Sequence, residues 1–323
     1  MKASIMRALQ QTSLNGPQDM RLITDAPVPS PGPGEVLIRV EAAGINFADI
    51  SRATGTFLGG PQPPYLAGFE AAGEVVEVGE AVTGLQPGTR VTGVGYGAFA
   101  EYMVLPAAIP VPDGWTAEGA LGLAVNWPTA LAALKPMGNV VAGETVLVHA
   151  AAGATGQAAV TMAKHYGATV IATASPSKHD RVRGADHVLD SLDGDLAAAV
   201  QRLTGGADVV LESGGGATFK ASLAAAKPVT GRVVVFGLAG GEAAITNWEL
   251  VYKHQVRLIG LNIGALIQNA PAVFGELMGE LAALIAGGVL APVQPTVYDL
   301  ADGPKALAEL AARATVGKLA LRP

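Results

Sequence analysis

The chain has no cysteine among its 323 residues. That absence excludes disulfides, cysteine-ligated zinc, iron–sulfur clusters and thiol nucleophiles in one step. Histidine is scarce as well: His149, His165, His179, His187 and His254 show no paired ligand spacing, so no metal site is expected. Charged residues make up only 15% of the chain against 50% apolar, which excludes a disordered polar protein. The formal charge of −6 argues against nucleic acid as a main ligand. Long uncharged stretches exist, but Gly and Pro break them at strand and turn spacing, so they read as buried sheet and no membrane partner is expected. The N-terminal segment lacks the charged-then-apolar form of a secretion signal. Ser4–Leu14 reads instead as a first strand, and a cytoplasmic location is expected.

What is present centres on Thr145–Gly156. Val146, Leu147 and Val148 form the short aliphatic run of a strand covered on both faces. Small residues at Ala151, Gly153 and Gly156 then keep the spacing of the dinucleotide fingerprint, with alanine in the first place. That spacing permits a tight turn, a close backbone approach to a pyrophosphate, and close packing of helix on strand. A helix beginning near Thr155 aims its free N–H groups and positive dipole end at phosphate. Ala152, Gly153, Ala154, Thr155 and Gly156 are therefore the candidate cofactor-binding turn. An ordinary strand–helix turn is the alternative, but a helical stretch (Gln157–His165) and a second strand (Thr169–Ala174) follow in the order the motif requires.

From this turn to about Asn262 strand and helix alternate. Strands read at Thr145–His149, Thr169–Ala174, His187–Asp190, Asp208–Glu212, Arg232–Phe236 and Val256–Leu261, with helices at Gln157–His165, Leu196–Leu203 and Ala217–Ala226. This is the pattern of a doubly wound parallel sheet, an α/β Rossmann unit over 125–264. One crossover, Ser175–Ala185, has room for only about two helical turns. Residues 1–124 differ: proline and glycine punctuate short alternating segments at Glu35–Ala42, Gly73–Val78 and Thr89–Gly93, the mark of a β-rich barrel. A tail of helix (Val273–Ala286), strand (Thr296–Leu300), helix (Pro304–Ala314) and strand (Lys318–Leu321) is expected to return to it. The first domain would then be discontinuous, 1–124 with 265–323, and the cleft between domains the default ligand site.

Several stretches, in order, carry a family resemblance: Ala43-Gly44-Ile45-Asn46-Phe47-Ala48-Asp49, Gly68-Phe69-Glu70-Ala71-Ala72-Gly73, Val148-His149-Ala150-Ala151-Ala152-Gly153, Gly184-Ala185-Asp186-His187-Val188 and Thr315-Val316-Gly317-Lys318. The chain resembles the medium-chain dehydrogenase/reductase superfamily, in its zinc-free quinone oxidoreductase (ζ-crystallin-like) branch, over nearly its full length. The resemblance implies a GroES-like catalytic domain with the Rossmann domain inserted, and a homodimer joined along the last sheet strand, Val256–Gly264. The superfamily's zinc alcohol dehydrogenases carry cysteine where this chain has Asn46 and histidine where it has Phe69. Without a Lewis acid an isolated carbonyl is poorly served. A quinone or α,β-unsaturated carbonyl delocalises the charge that hydride brings, so conjugated small-molecule acceptors are favoured.

A carboxylate at the tip of the second strand normally grips the ribose 2′-OH of NAD. Here the tip reads Thr173-Ala174-Ser175-Pro176-Ser177-Lys178, with no acid. Hydroxyls and an ammonium suit a 2′-phosphate, so NADPH is expected, with Ser175, Ser177 and Lys178 as contacts. Arg181 and Arg183 read as a solvated helix face. By resemblance, further cofactor contacts fall at Ser213 and Gly214, at Phe236, Gly237, Leu238 and Ala239, at Asn262 and Ile263, and at Lys318. Strand-end position supports the first three groups independently. Phe236 as core and Lys318 as a surface charge are the competing readings.

Asn46 and Asp49 lie one helical turn apart after a strand, so both can face the cleft. By resemblance Asn46 contacts the nicotinamide side, Asp49 orders that wall, and Thr129 bonds the carboxamide. Helix capping is the alternative for all three. Related reductases often carry a tyrosine in a Gly-x-Tyr segment where this chain has Gly55-Thr56-Phe57. Phe57 can stack on a flat substrate but cannot donate a proton; Tyr65 is the candidate substitute. The expectation is an NADPH-dependent, zinc-independent reductase of quinones or enones. An enoyl-thioester reductase of polyketide or fatty-acid type, and a structural or RNA-binding crystallin-like protein, are its rivals.

Overall fold

The first unit is built mainly of strands, and its central one, Val36–Ile45, is buried along most of its length. The computed structural model describes residues 4–323. β1 (Ile5–Gln11), β2 (Met20–Pro27) and β3 (Val36–Ile45) lead into the short helix α1 (Phe47–Ala53). β4 (Tyr65–Leu66), β5 (Glu70–Val78), β6 (Arg90–Val94), β7 (Tyr102–Leu105) and β8 (Ala108–Pro110) follow. β1 pairs antiparallel with β2 and β4 in a small sheet, and β3 pairs antiparallel with both β5 and β7.

The alternating region then builds α2 (Asn126–Ala132), β9 (Thr145–Val148), α3 (Ala154–His165), β10 (Thr169–Ala174), β11 (His187–Asp190), α4 (Leu196–Thr204), β12 (Val209–Glu212), α5 (Gly216–Ala225), β13 (Arg232–Val235) and β14 (Arg257–Gly260). The six strands run parallel in the order β11-β10-β9-β12-β13-β14. This is a doubly wound sheet whose order reverses beside β9. Val146, Leu147, Val170, Ile171, Val210 and Val233 are sealed from solvent, as a sheet covered on both faces demands. The short β10–β11 crossover is a 3₁₀ turn, Pro176–Arg181, too brief for an α-helix.

α6 (Ile263–Asn269) and α7 (Pro271–Ala286) come next; α6 was not anticipated from the sequence. β15 (Thr296–Asp299), α8 (Gly303–Ala311) and β16 (Leu319–Arg322) then return to β3, where β16 pairs antiparallel with Ala43–Ile45. The seven-stranded sheet is thereby completed by the last strand of the chain.

Two compact units result, one ending at Val125 and resuming over Pro292–Pro323, the other spanning Asn126–Ala291. The second boundary corrects the expected return at residue 265. α7 buries Leu277, Leu281 and Leu284, spaced as one helical face, and Tyr166 of the Rossmann unit donates to its Glu280 at 2.5 Å. An apolar stripe read in isolation fits either partner, and only its packing assigns it.

Candidate active site

In the second unit the β9–α3 turn has the form a pyrophosphate site requires. Gly153 is the N-cap of α3 and no side chain caps the helix. The N–H groups of Ala154, Thr155 and Gly156 are therefore first-turn donors without an intrahelical acceptor. A Cβ on Gly156 would sit 2.3 Å from the Ala150 carbonyl oxygen, so only glycine lets the helix approach the strand this closely. Asn126, at the start of α2, donates its amide to Thr155 Oγ1 at 3.0 Å and ties the two helix starts together. Thr129 lies half-buried inside α2, three residues past its first position, so the capping alternative fails for it.

The other predicted contacts follow strand ends on the same edge of the sheet. Ser175 is the N-cap of the 3₁₀ turn, with Ser177 exposed and Lys178 half-buried within it. The nearest strand-tip carboxylate, Asp190 on β11, accepts the Leu192 N–H of its own turn at 2.8 Å. Ser213 and Gly214 follow β12; Phe236, Gly237, Leu238 and Ala239 follow β13. Phe236 is half-buried, not core. Asn262 caps α6 by accepting from Ala265 N–H at 3.1 Å, and Ile263 begins that helix.

Behind these loops runs a buried network the sequence reading did not isolate. Glu212 Oε1 accepts from Gly214 N–H at 2.6 Å and Gly215 N–H at 2.7 Å. Its Oε2 accepts the Ser222 hydroxyl. Ser222 Oγ lies 2.9 Å from His149 Nε2, and His149 Nδ1 lies 3.0 Å from Thr173 Oγ1. With the Ser222 proton given to Glu212, the Ser222 oxygen can accept from His149 Nε2–H. Burial lowers the imidazole pKa, so the ring is neutral. The signal was in the sequence: Glu212 closes an otherwise wholly apolar strand.

In the first unit Asn46 is both the N-cap of α1 and part of a buried polar cluster. Asp49 Oδ2 accepts the Asn46 backbone N–H at 2.9 Å. The Asn46 amide donates to Glu70 Oε2 at 2.7 Å, and its Oδ1 accepts from Lys318 Nζ at 2.9 Å. Lys318 also donates to Glu70 Oε2 at 2.5 Å and to the Ile45 carbonyl at 3.3 Å. Glu70 Oε1 takes the Gly122 N–H at 2.6 Å. Lys318 is 3% exposed and its three donors all have protein acceptors, which overturns the surface-charge reading. Its ammonium is held within the first unit by Asn46, Glu70 and the Ile45 carbonyl. β3 accommodates the pair through Gly44, where a Cβ would meet Glu70 Oε2 at 2.5 Å. Asp49 Oδ1 is buried without a partner, and burial pushes the carboxyl up to about 7.

Phe57 and Tyr65 line two cavities of the first unit, of about 230 and 370 Å³ respectively. Arg52 belongs to the walls of both. Among the described residues no cluster of three or more His, Cys, Asp or Glu could hold a metal ion, and no helix is long and apolar enough to cross a membrane.

Comparison with known proteins settles the family. The alcohol dehydrogenase GroES-like domain matches residues 32–113, and the zinc-binding dehydrogenase domain matches 154–282, a span that ends within α7. The mouse quinone oxidoreductase-like protein 2 is 32% identical, over 98% of this chain and 91% of its own. The chain belongs to the medium-chain dehydrogenase/reductase superfamily. Within it the chain falls in the quinone oxidoreductase branch. The Escherichia coli quinone oxidoreductase solved with NADPH superposes with a TM-score of 0.90 at 28% identity, over 98% of this chain and 100% of its own. The NorB polyketide synthase of Streptomyces orinoci is 38% identical over 90% of this chain, which spans only 13% of that synthase's length.

Proposed function

We propose that this reductase uses NADPH to reduce quinones or α,β-unsaturated carbonyls without zinc. The observation that carries the reading is the β9–α3 turn, whose uncapped N–H groups and Gly156 contact fit a pyrophosphate. Bound there, NADPH supplies the hydride. Ser175, Ser177 and Lys178 take the 2′-phosphate at a strand tip that has no carboxylate. Thr129, Asn126 and the loops after β12 and β13 hold the nicotinamide end. Glu212 keeps the first of those loops in shape. The Asn46–Lys318–Glu70 cluster gives the first unit a fixed polar wall, and Asn46 is assigned to the nicotinamide side. Solvent completes protonation, consistent with Phe57 in the place of a tyrosine.

Similarity to the spectinabilin synthase component favours a second reading, an enoyl-thioester acceptor. Steady-state NADPH oxidation against a quinone, a simple enone and an enoyl-pantetheine thioester separates the two. Turnover of the first two above the third supports the principal reading; turnover of the thioester alone replaces it. β14 ends the parallel sheet with an open edge carrying the exposed Leu258, and a homodimer formed there follows from the same reading. Light scattering measures the mass directly.

A further inference from the structure

Arg52 lies on α1, one turn beyond Asp49. Its guanidinium carbon lies over two rings, 4.4 Å from the Phe69 centroid and 5.1 Å from that of Phe57. Such cation–π contacts use none of the guanidinium's N–H donors as hydrogen bonds to an acceptor oxygen. Arg52 has no hydrogen-bond acceptor and no ion pair among the described residues, and its Nε is buried without one. Asp49 feels the charge, yet its Oδ2 is held by the Asn46 backbone. A buried Nε–H without an acceptor is costly, and a leucine or methionine would pack beside the two phenylalanines without that cost. Packing alone does not account for an arginine here.

The cavities give the second half of the argument. Arg52 and Pro61 form a common wall of both, and Arg52 is the one charged residue that lines either. The rest of the lining is mostly apolar or aromatic, with Phe57 and the polar Gln62 in one cavity and Tyr65 in the other. Tyr65 Oη makes no hydrogen bond among the described residues. A phosphate dianion is normally gathered by several cations or backbone N–H groups; one guanidinium matches a monoanion. Its planar edge matches the two oxygens of a carboxylate, as a lysine could not.

We propose that Arg52 anchors the carboxylate of the acceptor, so that the preferred substrate is an apolar or aromatic monocarboxylate bearing a conjugated carbonyl. This rests on the reductase reading above and adds the substrate's charge to it. A suitable probe pair is 3-benzoylacrylate and its methyl ester, the same enone with and without the anion. The chain has no thiol that such an enone could alkylate.

The experiment measures kcat/KM for both compounds with NADPH in wild type, Arg52→Met and Arg52→Lys. The expected result is an acid-to-ester ratio that falls about 10–100-fold in Arg52→Met, chiefly through KM, with Arg52→Lys between. An unchanged ratio in Arg52→Met overturns the assignment while leaving the reductase reading intact. Should neither compound be reduced, calorimetry with 3-benzoylacrylate decides. Binding lost in Arg52→Met upholds the anion site and discards the reductase reading; binding that is absent or indifferent to Arg52 overturns the site.

Discussion

Lys318 Nζ and Glu70 Oε2 meet at 2.5 Å, brought together by the pairing of β16 with β3 and of β3 with β5, and neither side chain is open to solvent. A buried pair of this kind contributes little against an apolar substitute of the same shape, yet breaking it strands a charge. Lys318→Met alone should therefore destabilise the protein by about 3–5 kcal/mol. The double variant Lys318→Met/Glu70→Leu should recover most of that loss. Urea denaturation of the two variants checks this, and strictly additive losses would contradict it.

Asp49 gives the pH dependence its sign. Its carboxyl titrates at about 7 in the folded protein against 3.8 for an ordinary aspartate, so the folded state holds the proton more tightly. The stability this contributes is complete below pH 3.8 and disappears as the pH rises through about 7. Asp49→Asn cannot titrate. The difference in unfolding free energy, wild type minus Asp49→Asn, should fall between pH 4 and about 7.5, by no more than about 1.4 kcal/mol per pH unit. A difference that stays flat over that window rejects the assignment.

Glu212 holds two backbone N–H groups of the loop after β12 and one hydroxyl. Glu212→Ala takes the acceptor from the Gly214 and Gly215 N–H groups, while Ser222 keeps the Thr218 carbonyl, a loss of about 2–3 kcal/mol. Because the loop belongs to the cofactor edge of the sheet, the dissociation constant for NADPH should rise about tenfold as well. Calorimetric titration of the variant tests the second effect apart from the first. Unchanged NADPH affinity would assign Glu212 to stability alone.

The proposed 2′-phosphate site assigns the discrimination between cofactors to Lys178. Lys178→Ala should lower the NADPH-to-NADH ratio of kcat/KM about tenfold, since one charge-assisted contact to the 2′-phosphate disappears while NADH loses nothing. Equal effects on the two cofactors would remove Lys178 from the phosphate site.

The second unit was the more legible in the sequence. Its four central strands are buried on both faces, so most of them read as aliphatic runs, and the Gly153–Gly156 turn marks where the parallel order begins. Asn46 and Asp49 were also visible, because a residue pair closing a strand and opening a helix has few other uses. The partners were not. Glu70 and Gly122 are 52 residues apart, Lys318 and Glu70 are 248 apart, and long-range polar pairing leaves no periodic trace. Arg52 was passed over because an arginine on a short helix looks solvated until the two rings beside it are seen. The second boundary was misplaced for the same reason: the stripe on α7 announces burial but not against what.

Deuterium transfer tests the central claim most directly. NADPH labelled at the hydride position of C4 is incubated with the protein and an enone in ordinary water, and the product is examined by mass spectrometry and NMR. Direct hydride delivery to a conjugated acceptor predicts one deuterium at the β-carbon and solvent hydrogen at the α-carbon. A product without deuterium at the β-carbon, or no acceptor-dependent oxidation of NADPH by any quinone or enone, contradicts it.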